Sequence, residues 1–541
     1  MSLPPHQKQG SLFETGHQYR HLFQGNPQAA KFVFFSEKIL PMLHQLRGKL
    51  ATMYCSNNGR PSKEPVLMLG ATLLQFMERL PDRDATGQCT FDLRWKMALG
   101  LEPEQMAFDP TCLVRFRQRL VEHDMEGIGF DAVIQAMQEA GYLEGKTGKQ
   151  RVDSTYVVGL VSQMSRMELA RETLRLALES IQGLSTGQKP ARWGEWWGRY
   201  VENAPDYQLE GEELKSRFKQ AGEDAVALLH WAGVHFKGKE ESKAFATLRR
   251  FVEENFDLSG DAPEPTRKQP GGALRNPHDP EAKRRTKSTV PGKEWVGYQN
   301  QIAETVSDSP CDKGEPTPNV ITAVLTQPAS ESDKHALPEV EAQRQSHGVP
   351  NPQVEYTDGG YTSGEELARF ESEGRELRGP VARPHDRGEL FNIGDFDICV
   401  QTRKAVCPSG KASSNCSKLV EGKSGKASFR FEFSRKDCQD CPLKGQCLGE
   451  GQEHRTVTVG EHHGLIQARR TEQQTDAFKE EMHRRNGIEA TVSELARGYG
   501  LRRCRYRGLK KTQLQSSMSA AACNLTRWSV RNDWEMRQMA A

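Results

Sequence analysis

The chain has 541 residues, more than a single hydrophobic core normally serves, so two or more modules are expected. Its 74 Lys and Arg against 72 Asp and Glu leave a formal charge of +2, a balance that neither requires nor excludes a polyanionic partner and leaves the decision to local clusters. Mean hydropathy is −0.71, no apolar run reaches the roughly eighteen residues a bilayer span needs, and the opening Met-Ser-Leu-Pro-Pro-His-Gln-Lys lacks a signal peptide's apolar centre, which excludes a membrane protein and predicts a cytoplasmic one.

Residues 31–80 carry Phe32, Phe34, Phe35, Ile39, Leu40 and Leu43, then Val66, Leu67, Leu69, Leu73, Leu74 and Phe76, at helical spacing, with a break at Gly59-Arg60-Pro61. The pattern continues over 84–140, where Asp109-Pro110-Thr111 reads as a helix opening, so residues 1–145 are expected to form an all-α domain. Val152, Tyr156, Val157 and Val158 favour a strand, which places Asp153 on the first strand of a second domain. From about 160 to 255 the pattern is helical again, and Trp193, Trp196, Trp197 and Trp231 read as the aromatic core of a helical insertion. Residues 256–293, rich in Pro, Gly and charge, read as a mobile loop.

Strand signals resume over 295–306 and 320–325, followed by an amphipathic helix over 332–344, a strand at 354–356 leading into Asp358, a strand near Val381 and a helix over 474–497. This order predicts an α/β fold, a mixed sheet flanked by helices. The second domain spans 146–515, is interrupted at 160–293 and by a cysteine-rich insertion at 385–465, and is followed by a terminal helix at 516–541.

Twelve cysteines in a reducing compartment argue for metal over disulfides. Cys438-x2-Cys441-x5-Cys447 has the spacing of a thiolate zinc knuckle. Cys407, in Cys-Pro-Ser-Gly, is the leading fourth ligand of a closed structural site, with Cys399 and Cys416 as rivals. Between 497 and 511, Arg497, Arg502, Arg503, Arg505, Arg507, Lys510 and Lys511 alternate with Tyr499 and Tyr506 and no acid intervenes, a bias that suits DNA phosphates. A second cationic stretch runs through Lys283, Arg284, Arg285, Lys287 and Lys293, and Arg115, Arg117 and Arg119 alternate in the N-terminal segment.

Three acids lie far apart in the sequence on different element types: Asp153 in Val-Asp-Ser-Thr, Asp358 in Tyr-Thr-Asp-Gly-Gly-Tyr and Glu489 in Arg-Arg-Asn-Gly-Ile-Glu. Singly, each reads as a cap, a turn or a solvated side chain. The Gly359-Gly360 pair would let the backbone turn sharply and leave room for a nucleic-acid backbone. Convergence of the three would hold hard divalent ions.

Together with the Arg485-x3-Glu489, Arg505-Tyr506-Arg507-Gly508 and Ala522-Cys523-Asn524-Leu525 blocks, these residues make the chain resemble bacterial insertion-sequence transposases of the DDE class. The tyrosine-arginine-glutamate-lysine signature of such enzymes is kept at Arg485 and Glu489, while Met482 stands in the tyrosine position and Ala496 in the lysine position. The resemblance implies a ribonuclease-H-like catalytic domain in which Asp153, Asp358 and Glu489 hold two Mg2+ or Mn2+ ions. It also implies metal-dependent cleavage and strand transfer at the ends of the insertion sequence. It further implies double-stranded partners (terminal inverted repeats and target DNA), DNA contact through Arg485, a DNA-binding role for the N-terminal domain and a homodimer in the active complex. The alternatives are a metal-dependent nuclease without strand transfer and an inactive, domesticated DNA-binding protein.

Overall fold

The computed structural model describes the whole chain except residues 1, 5–20, 24, 56–58, 204–209, 238–240, 287–293, 308–315, 317–318, 423–424 and 541. Lys287 and Lys293 therefore lie outside the described residues.

Short helical segments from Ala30–Phe34 to Arg47–Ala51 lead into α1 (Pro65–Glu78), α2 (Asp82–Phe91), α3 (Leu93–Leu99), α4 (Thr111–Glu122) and α5 (Ile128–Glu139). Pro65 sits at the first position of α1, where its missing N–H costs nothing. α4 opens where the sequence predicts, with Asp109 Oδ1 accepting from the backbone N–H and the hydroxyl of Thr111 at 2.8 and 2.6 Å.

The central sheet has six strands: β1 (Lys149–Val158), β2 (Lys283–Thr286), β3 (Glu294–Thr305), β4 (Ile321–Pro328), β5 (Val354–Tyr356) and β6 (Glu376–Arg378). The order is β2-β3-β1-β5-β6, with β4 also paired to β3. β3 runs antiparallel to β1, β2 and β4 run antiparallel to β3, while β5 and β6 run parallel to β1, so the sheet is mixed. The last strand falls at Glu376–Arg378, slightly before the predicted Val381, which instead enters the core as a buried residue.

One face of the sheet packs Val152, Ala303 and Ala323 against α7 (Ala336–Ser346) and α8 (Gly364–Ser372) through Ala336, Leu337, Val340, Leu367 and Phe370. The other face packs Ile302, Ile321 and Val324 into one continuous core with the N-terminal helices, α9 (Ile488–Gly498) and the long α10 (Leu509–Ala540). Met518 of α10 lies so close to Gly129 that a Cβ there would meet its sulfur at 2.9 Å. α10 begins before the predicted start at 516, so Lys510 and Lys511 lie on it.

The helical insertion after β1 includes α6 (Arg166–Ser180), Gly211–His235 and Lys243–Asn255 and has its own core. There Asp224, almost fully buried, accepts from Trp196 Nε1 at 2.9 Å and the Tyr200 hydroxyl at 2.6 Å, which supports the aromatic-core reading. The segment after it departs from the expected mobile loop. Ala273, Leu274 and Ala282 are fully buried, Arg250 holds the carbonyls of Gly272 and Pro280 at 3.0 and 2.8 Å, and residues 283–286 form β2. Backbone carbonyls captured by one arginine, together with a strand rich in Lys and Arg, are invisible to a composition count.

The predicted helix over 474–497 is two helices, Asp476–Asn486 and α9, meeting at Gly487. A Cβ at Gly487 would lie 2.1 Å from Arg151 Nη1, so the break marks where a side chain from β1 enters between the helices. The cysteine-rich region forms small sheets (Asp397–Cys399 with Lys404–Val406, and Asn415–Val420 with Ala427–Glu432 and Thr456–Gly460) around Phe396, Phe429, Phe431 and Phe433. Among the described residues no helix is long and apolar enough to cross a membrane.

Candidate active site

β1 and β5 pair in parallel with Lys149 opposite Val354 and Arg151 opposite Tyr356. Asp358 lies two residues beyond the last paired position of β5, near enough for its charge to raise the Asp153 carboxyl. Asp358 follows the end of β5, where its Oδ1 accepts from the Gly360 N–H at 2.7 Å and its carbonyl accepts from the Thr362 hydroxyl at 3.1 Å. Neither Gly359 nor Gly360 adopts a positive φ. Their small size serves close approach within the protein: a Cβ on Gly359 would meet the Pro380 carbonyl oxygen at 3.2 Å, and one on Gly360 would meet Asp358 Oδ1 at 2.9 Å.

The third acid is brought in by a buried clamp. Arg151 and Glu304, opposite each other on β1 and β3, form an ion pair with Glu304 fully buried. Arg151 Nη1 also donates to the Arg484 carbonyl at 2.6 Å, and Glu304 Oε2 accepts from the Thr491 hydroxyl at 2.6 Å. Arg527 of α10 joins Glu304, Thr491 and Glu494. Both helices flanking Gly487 are thus tied to the strand that bears Asp153. Burial of these charges is tolerable because each is paired and hydrogen-bonded.

Arg485 stands between two of the three acids. Its Nη2 donates to Asp153 Oδ2 at 2.8 Å, and Nη1 lies 3.5 Å from Glu489 Oε1. Asp153 is 14% exposed and Glu489 71%, so one acid is set in the sheet and the other stands at the open edge. Burial raises the Asp153 carboxyl, Arg485 lowers it and Asp358 raises it, for a net value of about 6. Beneath them, fully buried Tyr361 donates to Gln301 Oε1, and its phenol is pushed up first by burial and then by the charges of Asp333, Asp153 and Asp358. Asp333, Tyr361, Gln301, Arg151 and Glu304 were not singled out in the sequence; Arg151, Tyr361 and Asp333 sit within a few positions of a recognised motif or predicted helix start, Gln301 and Glu304 lie inside a predicted strand, and spacing alone gives none of them a role.

Among the described residues no three Asp, Glu, His or Cys side chains are already arranged around one ion-sized position. At the acids, the guanidinium of Arg485 occupies the space between Asp153 and Glu489. Four carboxylates (Asp153, Asp333, Asp358 and Glu489) face two guanidiniums (Arg485 and Arg285), and that surplus of oxygen donors and negative charge fits hard divalent cations. At the cysteines, burial raises the Cys447 thiol, with Cys438, Cys407 and Cys441 near enough to add to the effect, and the Lys411 N–H donates to Cys407 Sγ at 3.3 Å. Cys399 and Cys416 are also free thiols.

The basic run divides. Arg505 lies over the Phe76 ring at 5.0 Å, half-buried, and Tyr506 stacks under buried Arg117, which pairs with Asp82 at 2.6 Å. These side chains join the N-terminal helices to the catalytic region. Arg502 lies over Tyr156 at 4.8 Å, and its carbonyl accepts from Val158 N–H at 2.9 Å. Lys510 pairs with Asp124. Arg503, Arg507 and Lys511 are exposed. In the second basic stretch, Lys283 is lowered to about 8 by burial and by Arg250, Arg284 pairs with Glu294, and Arg285 pairs with Asp333 at 3.2 Å. On α4, Arg115 faces solvent, while Arg119 lies over Tyr54 at 4.6 Å.

Two comparisons bear on this arrangement. The family model described as transposase DDE domain matches residues 406–529, which include Glu489, Arg485 and the basic run, and the model described as transposase domain (DUF772) matches residues 21–119 of the N-terminal helices. No curated protein matches the chain. With a mixed α/β core between them, these two matched stretches support an insertion-sequence transposase of the DDE class, an enzyme that acts on DNA.

Proposed function

We propose that the chain cleaves the ends of its own insertion sequence and joins them to target DNA, with Asp153, Asp358 and Glu489 as the catalytic carboxylates. The observation that carries this is the nearness of Asp358 to Asp153, close enough to raise its carboxyl where β1 pairs with β5, together with Arg485, which links Asp153 to Glu489. The strand order and the mixed parallel and antiparallel pairing support a ribonuclease-H-like catalytic domain over 146–515.

When bound, two Mg2+ or Mn2+ ions supply activation of the attacking oxygen and stabilisation of the leaving oxygen. Asp153, Asp358 and Glu489 would hold them. The chain's own residues prepare this: β1 carries Asp153, the turn after β5 holds Asp358 near it, the Arg151–Glu304 clamp fixes the helix that carries the third, and Arg485 neutralises Asp153 in their midst. Arg485 therefore serves the acids as well as the DNA contact implied for it.

Phosphate contact falls to the exposed part of the basic run, Arg503, Arg507 and Lys511 with Arg502 beside them, while the helices within 1–145 contact terminal DNA. The insertion at 385–465 is fastened by structural Zn2+ on Cys407, Cys438, Cys441 and Cys447. Its donor set fits, because the other three thiols lie near enough to Cys447 to shift it and a backbone N–H points at the Cys407 sulfur. Two element ends cut and joined together call for a homodimer in the active complex.

Terminal inverted-repeat DNA and a target plasmid test the reading. The parent yields joined products, and Asp153→Ala, Asp358→Ala and Glu489→Ala each abolish cleavage while DNA binding persists. Cleavage surviving any one substitution removes that acid from the site, and cleavage without joining makes the chain a nuclease. Zinc content equal before and after Cys438→Ser removes the zinc site.

A further inference from the structure

We propose that Asp333 is a fourth carboxylate of the catalytic centre, a positioning residue that works through the ion-bound water beside Asp358. The inference rests on the three-acid reading above.

Asp333 begins the short turn Asp333–His335 that leads into α7, where an aspartate ordinarily caps the helix by accepting a backbone N–H. Here that place belongs to Ser332, whose hydroxyl accepts from Lys334 N–H at 3.4 Å. Both oxygens of Asp333 turn toward the sheet: Oδ1 accepts from Gln301 Nε2 at 3.0 Å and Oδ2 from Arg285 Nη2 at 3.2 Å. Gln301 in turn receives the Tyr361 hydroxyl, so Asp333 is wired to the residue that underlies Asp153 and Asp358. Its side chain is 13% exposed.

Gly360 shows how near the acids come. A Cβ there would stand 2.9 Å from Asp358 Oδ1 and 3.6 Å from Asp333 Oδ2, so both carboxylates close on this one glycine and leave no room for a side chain. Neighbouring like charges disfavour each other, and a fold that holds them so gains from a cation beside them. Arg285 balances Asp333 from the far side, and no ion pair to Asp358 occurs among the described residues. Hard divalent ions keep several waters. A second carboxylate beside the ligand is the group that orients them, and such outer partners tune metal affinity about 10- to 100-fold.

Calorimetric titration of the full chain with Mn2+ tests the proposal, comparing the parent with Asp153→Ala, Asp333→Asn, Asp333→Glu and Arg285→Met. Asp333→Asn is expected to weaken Mn2+ about tenfold or more, Asp333→Glu to recover part of the loss, and Arg285→Met to stay within about threefold of the parent. The Mn2+ concentration for half-maximal cleavage should rise in parallel for Asp333→Asn, while terminal-DNA affinity is unchanged. Asp153→Ala weakening Mn2+ while Asp333→Asn does not would overturn the role of Asp333 and leave the three-acid reading standing. Equal weakening by Arg285→Met and Asp333→Asn would also overturn it, by reducing Asp333 to a structural partner of Arg285. Undiminished Mn2+ binding in Asp153→Ala would overturn the underlying reading and this inference with it.

Discussion

Replacing Asp153 with asparagine should stabilise the metal-free protein at neutral pH. Asp153 is held in the sheet with a carboxyl raised from 3.8 to about 6, because burial and the charge of Asp358 together outweigh Arg485. A raised carboxyl binds its proton more tightly in the folded chain than in the unfolded one. The stabilising effect of protonation is complete below the unfolded value near 4 and is lost as pH rises through about 6. At 1.36 kcal/mol per unit, ionised Asp153 then costs the fold about 3 kcal/mol above pH 7. The asparagine side chain keeps the shape and an oxygen for Arg485 without that cost. Melting temperatures in chelator should therefore favour Asp153→Asn by a few degrees near pH 8 and converge near pH 4. Saturating Mg2+ should raise the parent's melting temperature and leave the variant's almost unmoved. A variant less stable than the parent near pH 8, or a difference that ignores pH, would refute the claim that this carboxylate is held against its own desolvation.

Other substitutions probe the scaffold. Arg344 and Glu355, both fully buried, pair at 2.6 Å and Arg344 also holds Gln150 of β1, so Arg344→Met should cost about 3–5 kcal/mol in denaturant melts by leaving Glu355 with only the Arg375 guanidinium at 4.0 Å. Gly487→Ala would push against the buried Arg151 guanidinium and strain its clamp on Glu304, so the cost should be about 1–3 kcal/mol, with cleavage reduced and DNA binding kept as the Glu489 helix shifts. In filter binding at several salt concentrations, Arg507→Ala and Lys511→Ala should each lower terminal-DNA affinity and reduce the salt slope by about one. Arg505→Ala should leave that slope unchanged and lower the melting temperature, since its side chain packs on Phe76.

Runs of β-favouring residues made β1, β3 and β4 legible, and helical spacing of apolar residues did the same for the main helices. What stayed hidden depends on residues meeting across long separations. Arg151 and Glu304 are 153 positions apart, and neither flank shows that they pair, split a predicted helix at Gly487 and place Glu489. Asp333 at a helix start reads as a cap until its oxygens are seen turned to Gln301 and Arg285. Residues 256–293 read as a mobile loop by composition, yet two carbonyls on Arg250 hold Gly272 and Pro280, and a strand of Lys and Arg at 283–286 joins the sheet. The basic run was legible as charge, but its division between packing (Arg505) and solvent (Arg503, Arg507 and Lys511) follows from α10 starting at Leu509.

Anomalous diffraction from crystals of the full chain grown with Mn2+ tests most directly whether acids so distant in sequence form one centre. The account predicts manganese held by Asp153 and Asp358, with Glu489 drawn in and Arg485 displaced from Asp153. Manganese bound elsewhere, with Arg485 still on Asp153 and the three carboxylates without an ion, would contradict it.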